Sequence, residues 1–527
     1  MIRHLLLGSA LALGATAALA QNPQPDRAEA RTRAALSKIE QLNPRLNAVI
    51  ATDPTALDQA RALDRLDARW RRSERMRSHQ NVPRPGPLHG MPILIKDNIE
   101  TLGPLPTTAG SLALAQNVTN RDAPLVARLR AAGAVIMGKA NLSEWANIRS
   151  NDSISGWSAV GGQVRNPYAL NRNPCGSSSG SGAAVASGMV PAAIGTETDG
   201  SITCPAALNG IVGFKPTVGF VSRTHVVPIS HSQDTPGPMT LNVRDAALIM
   251  NAIAGTDPAD PATAEADQRR TDFAAGLRAD ALGGVRIGVM RFAGAPGTDA
   301  AFEAALAVLR AQGATLVDIA EFGGDRGAIG RNEFAVLLAE LKVDLNAYLA
   351  TLPAAVRTRT LADLIAFNRQ HADREMPLFA QEVFEQAQAT NGFDAAYRTA
   401  RETSLRLAGP EGIDRLLRTN NVVALVAPTR PAAWLIDAVH GDTSPGGGSA
   451  GGLAAVAGYP HLTVPMGQVR GLPVGLSFIG AKWDDARILA LGFAYEQASN
   501  MRFAPRLLPS IEESPEVAPH LRPARRP

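Results

Sequence analysis

The sequence predicts an α/β protein in which a mainly parallel or mixed central sheet lies between layers of helices. Two observations predict it. Leu- and Ala-rich segments with helical spacing alternate along the chain with short Val/Ile/Ala runs of strand length. The chain is also long enough for a large core, at 527 residues with 45% hydrophobic and 19% charged side chains.

Residues 1–20 begin Met1-Ile2-Arg3-His4, run apolar from Leu5 to Leu19 and end Ala18-Leu19-Ala20. A basic start, a Leu/Ala run and a small-x-small end read as an export signal cleaved after Ala20, giving a periplasmic or secreted protein. The apolar run is short for a membrane span, so no membrane association is expected after cleavage. Net charge is +4, or +3 once Arg3 is removed, which gives no reason to propose nucleic acid as a partner.

Asp26–Leu42 carries helix-spaced Ala30, Ala34, Ile39 and Leu42 and meets a stop at Asn43-Pro44. Thr55–Ser78 repeats the pattern, with Leu57, Leu63, Leu66 and Trp70 set against many charged residues. Ile93–Ile95 form a short strand with Lys96 at its end. Such a lysine either leaves the core for solvent or is held inside, partly desolvated and useful as a base. Asp122–Gly133 reads as a helix and Ala134–Met137 as a buried strand. Further strands are expected at Val190–Ile194, Gly284–Met290, Ala314–Ile319, Val422–Val426, His461–Val464 and Val474–Ile479. Gly327–Arg418 is mostly helical in pattern and is expected as an insertion or cap over one sheet edge. Gly446–Gly452 is either a flexible loop or a third pocket wall. The tail, 509–527, is rich in Pro and Arg and is expected to be weakly ordered.

The segment Asn173–Pro205 carries the densest functional signal. Cys175–Gly182 is a cysteine followed by an unbroken run of Ser and Gly, and Thr198-Asp199-Gly200-Ser201 precedes a short apolar run that can start a helix. Two turns that let backbone approach a ligand, joined by an apolar segment, look like two walls of one pocket. A flexible linker would lack the apolar runs Ala183–Ala186 and Val190–Ile194. The only cysteines, Cys175 and Cys204, are expected as buried free thiols, with a disulfide as the alternative in an oxidising compartment.

Gly176-Ser177-Ser178-Ser179-Gly180 also fits the G-x-S-x-G elbow, which would make Ser178 a nucleophile. That elbow needs a strand directly before it, and the preceding residues here include Pro167 and Pro174. His89, His225, His231 and His440 stand in no context that singles one out. No His/Cys/Asp spacing of the kind that holds zinc occurs, so neither a metal nor a cofactor is expected. What remains is Lys96, the first cluster and Ser201.

This set resembles the amidase signature family. The family's lysine context is matched by Gly90-Met91-Pro92-Ile93-Leu94-Ile95-Lys96, its Gly/Ser loop by Gly176–Ser181, and its nucleophile loop by Thr198-Asp199-Gly200-Ser201-Ile202. Supporting likeness runs through Gly138–Glu144, Gly210–Thr217, Asp234–Met239 and Leu472–Leu476, so that it covers roughly residues 26–500. The resemblance implies a single large domain over 21–508, with a central mixed twisted sheet sandwiched by helices. It also implies Ser201 as nucleophile, Ser177 as a bridging serine with a cis peptide, and Lys96 as the ultimate base. Backbone N–H groups of Thr198, Asp199, Gly200 and Ser201 would form the oxyanion hole, and Cys175, Gly176 and Ser178 would contact substrate.

The chemistry is coherent from below. A serine hydroxyl needs a partner to take its proton during attack, and a hydroxyl relay can deliver that proton to a neutral amine. To be neutral near pH 7, Lys96 must fall about 3.4 units from its usual value, at about 4.6 kcal/mol. Burial among small apolar residues and hydroxyl dipoles, without a carboxylate partner, is the environment that does so. Two residues depart from the family pattern. Asp199 and Ser179 stand where many members have Gly, and Asp199 is expected to point away from the oxyanion and hold its loop through hydrogen bonds.

The segments Thr196–Pro205 and Ser232–Met239, with the export signal, look most like the secreted bacterial peptide amidases. By that resemblance the enzyme converts the C-terminal carboxamide of peptides to a free acid and ammonia, sparing internal bonds. Its partner would be a small-molecule or short peptide amide, and the chain would be a monomer. A broader aliphatic or aryl amidase is the nearest rival. An export signal argues against the subunit that amidates charged transfer RNA, and the joint presence of Lys96, Ser177 and Ser201 argues against a non-catalytic binding protein on the same fold.

Overall fold

Among the described residues, thirteen strands are distributed between one eleven-stranded mixed sheet and one small two-stranded sheet. In this computed structural model residues 27–76, 82–292, 297–320, 325–444 and 451–521 are described. The expected export signal and most of Gly446–Gly452 lie outside them.

The strands are β1 (Val49–Thr52), β2 (Pro92–Lys96), β3 (Val135–Ala140), β4 (Trp157–Ser158), β5 (Gly162–Gln163), β6 (Ala192–Glu197), β7 (Val212–Lys215), β8 (Thr235–Thr240), β9 (Arg286–Met290), β10 (Thr315–Ile319), β11 (Ala424–Pro428), β12 (His461–Val469) and β13 (Leu472–Ile479). The large sheet runs β1-β3-β2-β6-β8-β7-β12-β13-β11-β9-β10, and β4 pairs with β5 alone. Pairing is parallel in β3-β2-β6 and in β11-β9-β10, and antiparallel elsewhere. The expected α/β architecture with a mixed sheet is therefore present.

Alternation of side chains along each strand divides the core into two layers. Ile93 and Ile95 of β2 face a cluster with Ile136, Ile194 and Phe214, roofed by the helices α3 (Pro124–Ala131) and α6 (Val243–Ile253). Leu94 faces the opposite cluster with Val135, Met137 and Ala193, covered by α1 (Ala28–Leu46), α2 (Ala56–Arg75) and α4 (Ser179–Ala186). Every residue of β2 and of β6 is buried, as expected of strands covered on both faces.

One element ends later than expected, and one strand has no assignment from the sequence. Helix α1 runs through Pro44 and ends at Asn47, which adopts a left-handed φ of 50° and donates its N–H to Asn43 O at 2.8 Å. A proline three residues from the end interrupts little of the helical ladder, so the stop falls later than its proline suggests. Strand β8, Thr235-Pro236-Gly237-Pro238-Met239-Thr240, lies inside the sheet despite two prolines. It pairs with β6 along its whole length, but with β7 only through Met239 and Thr240, so the proline positions are not needed for a ladder on that side.

Helices Arg326–Ala350, Leu361–Gln370, Glu382–Ala389 and Ala395–Ala408 form a cap. Its apolar residues Leu341, Leu345, Leu361, Leu364 and Phe384 pack on Ala109, Leu114, Trp145 and Val227, which belong to loops that leave β2 and β3 and approach β8. In the tail, Ile511 and Ser514 are buried and Arg506 pairs with Glu516 at 2.6 Å. Among the described residues, no helix is long and apolar enough to cross a membrane.

Candidate active site

Strand β2 carries Lys96 to the end of the sheet and leaves it fully buried. Its Nζ lies 2.8 Å from Ser177 Oγ, 2.8 Å from Thr196 Oγ1 and 3.2 Å from Thr196 O. Asn98 Nδ2 donates to the same threonine hydroxyl at 3.0 Å. Among the described residues no carboxylate bonds Lys96. Burial pulls its ammonium down to about 7, while the charges of Asp234 and Glu197 act in the other direction.

Ser177 follows a cis peptide bond with Gly176, and its carbonyl accepts the Ser143 N–H at 3.0 Å. The loop around it is closely packed. A Cβ on Gly176 would crowd the Ser143 hydroxyl and approach Asn147 and Ser179, so a larger residue there needs those side chains to shift. Ser178 is fully buried, its hydroxyl donating to Thr196 O at 3.1 Å and accepting from Thr196 N at 3.2 Å. Its own N–H donates to Ser201 O at 3.1 Å, which joins the two serine loops directly. Ser179 Oγ donates to Cys175 O at 2.6 Å at the start of α4.

Cys175 and Cys204 form a disulfide, not the two free thiols expected. Cys204 lies in the first turn of α5 (Thr203–Leu208), where the join between the two loops sets the cysteine Cα atoms 6.0 Å apart, within disulfide reach.

The nucleophile loop is held from beneath. Glu197 Oε2 accepts the N–H groups of Ile202 at 2.7 Å and Thr203 at 2.9 Å, and Thr198 Oγ1 donates to Asp234 Oδ1 at 2.5 Å. Gln233 Nε2 bridges Thr198 O and Glu333 Oε1. Gly200 has a left-handed φ of 79°, with nothing within 4 Å of where a Cβ would stand, so it opens onto free space. The N–H groups of Asp199, Gly200 and Ser201 donate to no acceptor among the described residues. Ser201 itself is 8% exposed.

Among the described residues Asp199 makes no bond that holds the loop, contrary to expectation. Its side chain reaches solvent and makes no hydrogen bond among the described residues; Thr198 and Glu197 do that work. Desolvation by the neighbouring protein and then repulsion from Glu197 push the Asp199 carboxyl upward, with Arg430 and Lys215 opposing them. Of the expected residues, Lys96, Ser177, Ser178 and the loop Thr198–Ser201 converge on one place. Thr196, Glu197, Asn98 and Asp234 were not assigned from sequence. Thr196 and Glu197 stand in the quoted run before Ser201, and Asp234 stands in a quoted family segment. Their signal was present without a partner to give it meaning.

The amidase family model matches residues 30–489. The chain is 39% identical over 480 residues to a probable amidase of Arabidopsis thaliana, covering 90% of this chain and 87% of that one. The structure of native peptide amidase from Stenotrophomonas maltophilia superposes with a TM-score of 0.84 at 49% identity, covering 91% and 95% of the two chains. A peptide amidase bound to the competitive inhibitor chymostatin gives 0.85, again at 49% identity, with 91% and 96% covered. The chain is similar at 35% identity to a glutamyl-tRNA(Gln) amidotransferase component of Halorhodospira halophila, over 89% and 93% of the two. Fold, site and relatives define a hydrolase of carbon–nitrogen bonds in amides. The chain belongs to the amidase signature family.

Proposed function

We propose that Ser201 attacks the amide carbonyl, Ser177 passes its proton to Lys96, and the N–H groups of Thr198–Ser201 stabilise the oxyanion. The observation that carries this reading is the buried Lys96 resting on Ser177 Oγ at 2.8 Å with no carboxylate bonded to it. A neutral amine has two N–H donors and one lone pair. Donation to the two oxygens of Thr196 leaves the lone pair for the Ser177 hydroxyl proton. The chain of transfers then balances. A C–O bond forms at Ser201, its proton moves to Ser177 and that of Ser177 to Lys96. The C–N bond breaks as the proton returns along the same path to the leaving amine, and water repeats the sequence on the acyl-enzyme. The unpaired N–H groups of Asp199, Gly200 and Ser201 support the oxyanion role, where one donor typically contributes about 2.7 to 4 kcal/mol.

The substrate we infer is the C-terminal carboxamide of a short peptide. Its support is the near-complete coverage at 49% identity with peptide amidase. The Cys175–Cys204 disulfide supports action in an oxidising, extracytoplasmic compartment.

The test is ammonia release from an N-blocked dipeptide amide, followed together with the mass of the peptide. Conversion of amide to acid without internal cleavage supports the peptide reading. Turnover of small acyl or aryl amides alone keeps the mechanism and moves the substrate to the broader class. Loss of all activity in Ser178→Ala, with activity kept in Ser201→Ala, overturns the assignment of the nucleophile.

A further inference from the structure

Asp234 is left without a role in these transfers, yet it is bonded from three sides. It precedes β8 and is 8% exposed. Its Oδ1 accepts from Thr198 Oγ1 at 2.5 Å, and its Oδ2 accepts the N–H groups of Ile229 at 2.8 Å and Ser230 at 2.9 Å. One carboxylate thereby joins the loop that presents Ser201 to the turn 229–234. On its open side lies a small pocket, lined by Asp234, Asn98, Thr196, Thr198 and Arg223 among others. Buried Asn98 Oδ1 has no partner among the described residues. The Thr196 hydroxyl, contacted by both Lys96 and Asn98, has no acceptor for its own proton among the described residues. The pocket is of a size to hold a water, and Asp234 and Thr196, whose hydroxyl is bonded to Lys96, both line it.

Few charges face Lys96. Glu197 does so from the end of β6 but is committed to the N–H groups of Ile202 and Thr203. Asp97, next in the chain, turns to Lys139 at 3.7 Å. Asp234 itself faces Arg223, which is paired with Asp260. Beyond the turn, His231 contacts Asp344 at 2.9 Å and Glu340 at 3.4 Å on the cap helix Arg326–Ala350.

We propose that Asp234 is a positioning residue for amide hydrolysis: it fixes the nucleophile loop through Thr198 and, as the negative charge across the pocket, sets the pH at which Lys96 gives up its proton. The inference rests on the reading of Lys96 as the base. A carboxylate there favours the ammonium form and so opposes the effect of burial. Burial pushes the Asp234 carboxyl up and the Lys96 ammonium down, so the two groups titrate near one another and the carboxylate, once charged, favours the protonated lysine.

The test is the pH profile of kcat/KM for a peptide amide in wild type, Asp234→Asn, Thr198→Val and Lys96→Ala. In Asp234→Asn the midpoint of the acid limb is expected to move down by about one pH unit, with a lower plateau. Thr198→Val, which loses the hydrogen bond between Asp234 and the nucleophile loop, is expected to lower kcat. A lower rate with an unmoved midpoint in Asp234→Asn overturns the proposal. Should that variant not fold, Arg223→Gln carries the test. Loss of the cation facing Asp234 lets its carboxyl rise and weakens the negative charge that favours the Lys96 ammonium, so the midpoint moves down, and an unmoved midpoint overturns the proposal. Lys96→Ala separates the two readings. If it keeps the wild-type profile, the assignment of the base fails; if it is inactive and Asp234→Asn leaves the limb in place, only the proposal for Asp234 fails.

Discussion

A lysine buried without a bonded carboxylate is costly, and Lys96 shows that cost most directly. Its ammonium falls from 10.5 to about 7, chiefly through burial. In the unfolded chain it regains its usual value, so between about pH 7 and 10 the unfolded state binds more protons than the folded one. Stability from this group therefore rises with pH across that window, and the full penalty applies below about 7. The shift corresponds to a penalty on the order of 4 to 5 kcal/mol. Lys96→Met is expected to raise stability at pH 6 by roughly 2 to 4 kcal/mol after the loss of hydrogen bonds to Ser177 and Thr196, and by less at pH 10. Urea titrations at the two pH values check this; an equal gain at both would show that the charge of Lys96 is not its source. Ser178 is the opposite case. Its hydroxyl is consumed by the two backbone groups of Thr196, so Ser178→Ala is expected to cost about 1 to 3 kcal/mol of stability while hydrolysis persists. Ser201→Ala is expected to lower kcat by about 10⁴-fold or more at unchanged stability, as measured by turnover beside a melting curve.

At the scale of elements, the site depends on β2, β6, α4 and α5 meeting end to end, and the Cys175–Cys204 disulfide ties the loop before α4 to the first turn of α5. The bridge closes a span of 29 residues that contains Ser177 and Ser201. A loop of that length corresponds to about 3 to 4 kcal/mol of stabilisation through the unfolded state. Reduction, or Cys204→Ser, is expected to lower the urea midpoint accordingly; an unchanged midpoint would show that packing of the two loops alone suffices. The same elements show how much could be read from sequence. β2, β3, β6 and β9 to β13 are apolar runs with a local pattern, and they fall where the pattern places them. β8 was not legible, because its prolines argue against a strand and only the incomplete pairing with β7 makes them tolerable. Lys96, Ser177 and Ser201 were readable because each lies in a contiguous motif. Asp234 and Asn98 were not, because their meaning comes from residues 36 and 98 positions away that the fold brings into bonding distance. The disulfide was missed for the same reason, since it depends on a distance between loops.

Across the whole molecule, the cap helices are joined to the core by charges that water does not reach. Arg149 is fully buried, paired with Glu144 at 3.0 Å, and stacked 4.2 Å from the centre of the Phe379 ring. Glu375, on the short helix Ala372–Glu375 of the cap, accepts Leu112 N–H at 2.6 Å and Ser111 Oγ at 3.2 Å from the core. Burial drives the Glu144 carboxyl well up, and Glu375 adds repulsion, so Arg149 is the cation that permits two acids in one seam. Glu144 and Trp145 also border the loop that carries Ser143, whose N–H bonds Ser177 O. Cap seating and the setting of Ser177 are thus mechanically continuous. Arg149→Ala strands Glu144 without its partner and is expected to cost about 3 to 5 kcal/mol. Because an unpaired Glu144 takes up a proton more readily, the loss should be larger at pH 8 than at pH 5, where both acids are more easily neutral. Hydrogen exchange at the two pH values checks this, with faster exchange expected in Leu361–Gln370 and Glu382–Ala389 before any change in β2 and β6. Equal acceleration in cap helices and central strands would mean that the cap does not open as a separate unit, and that the seam is no weaker than the sheet.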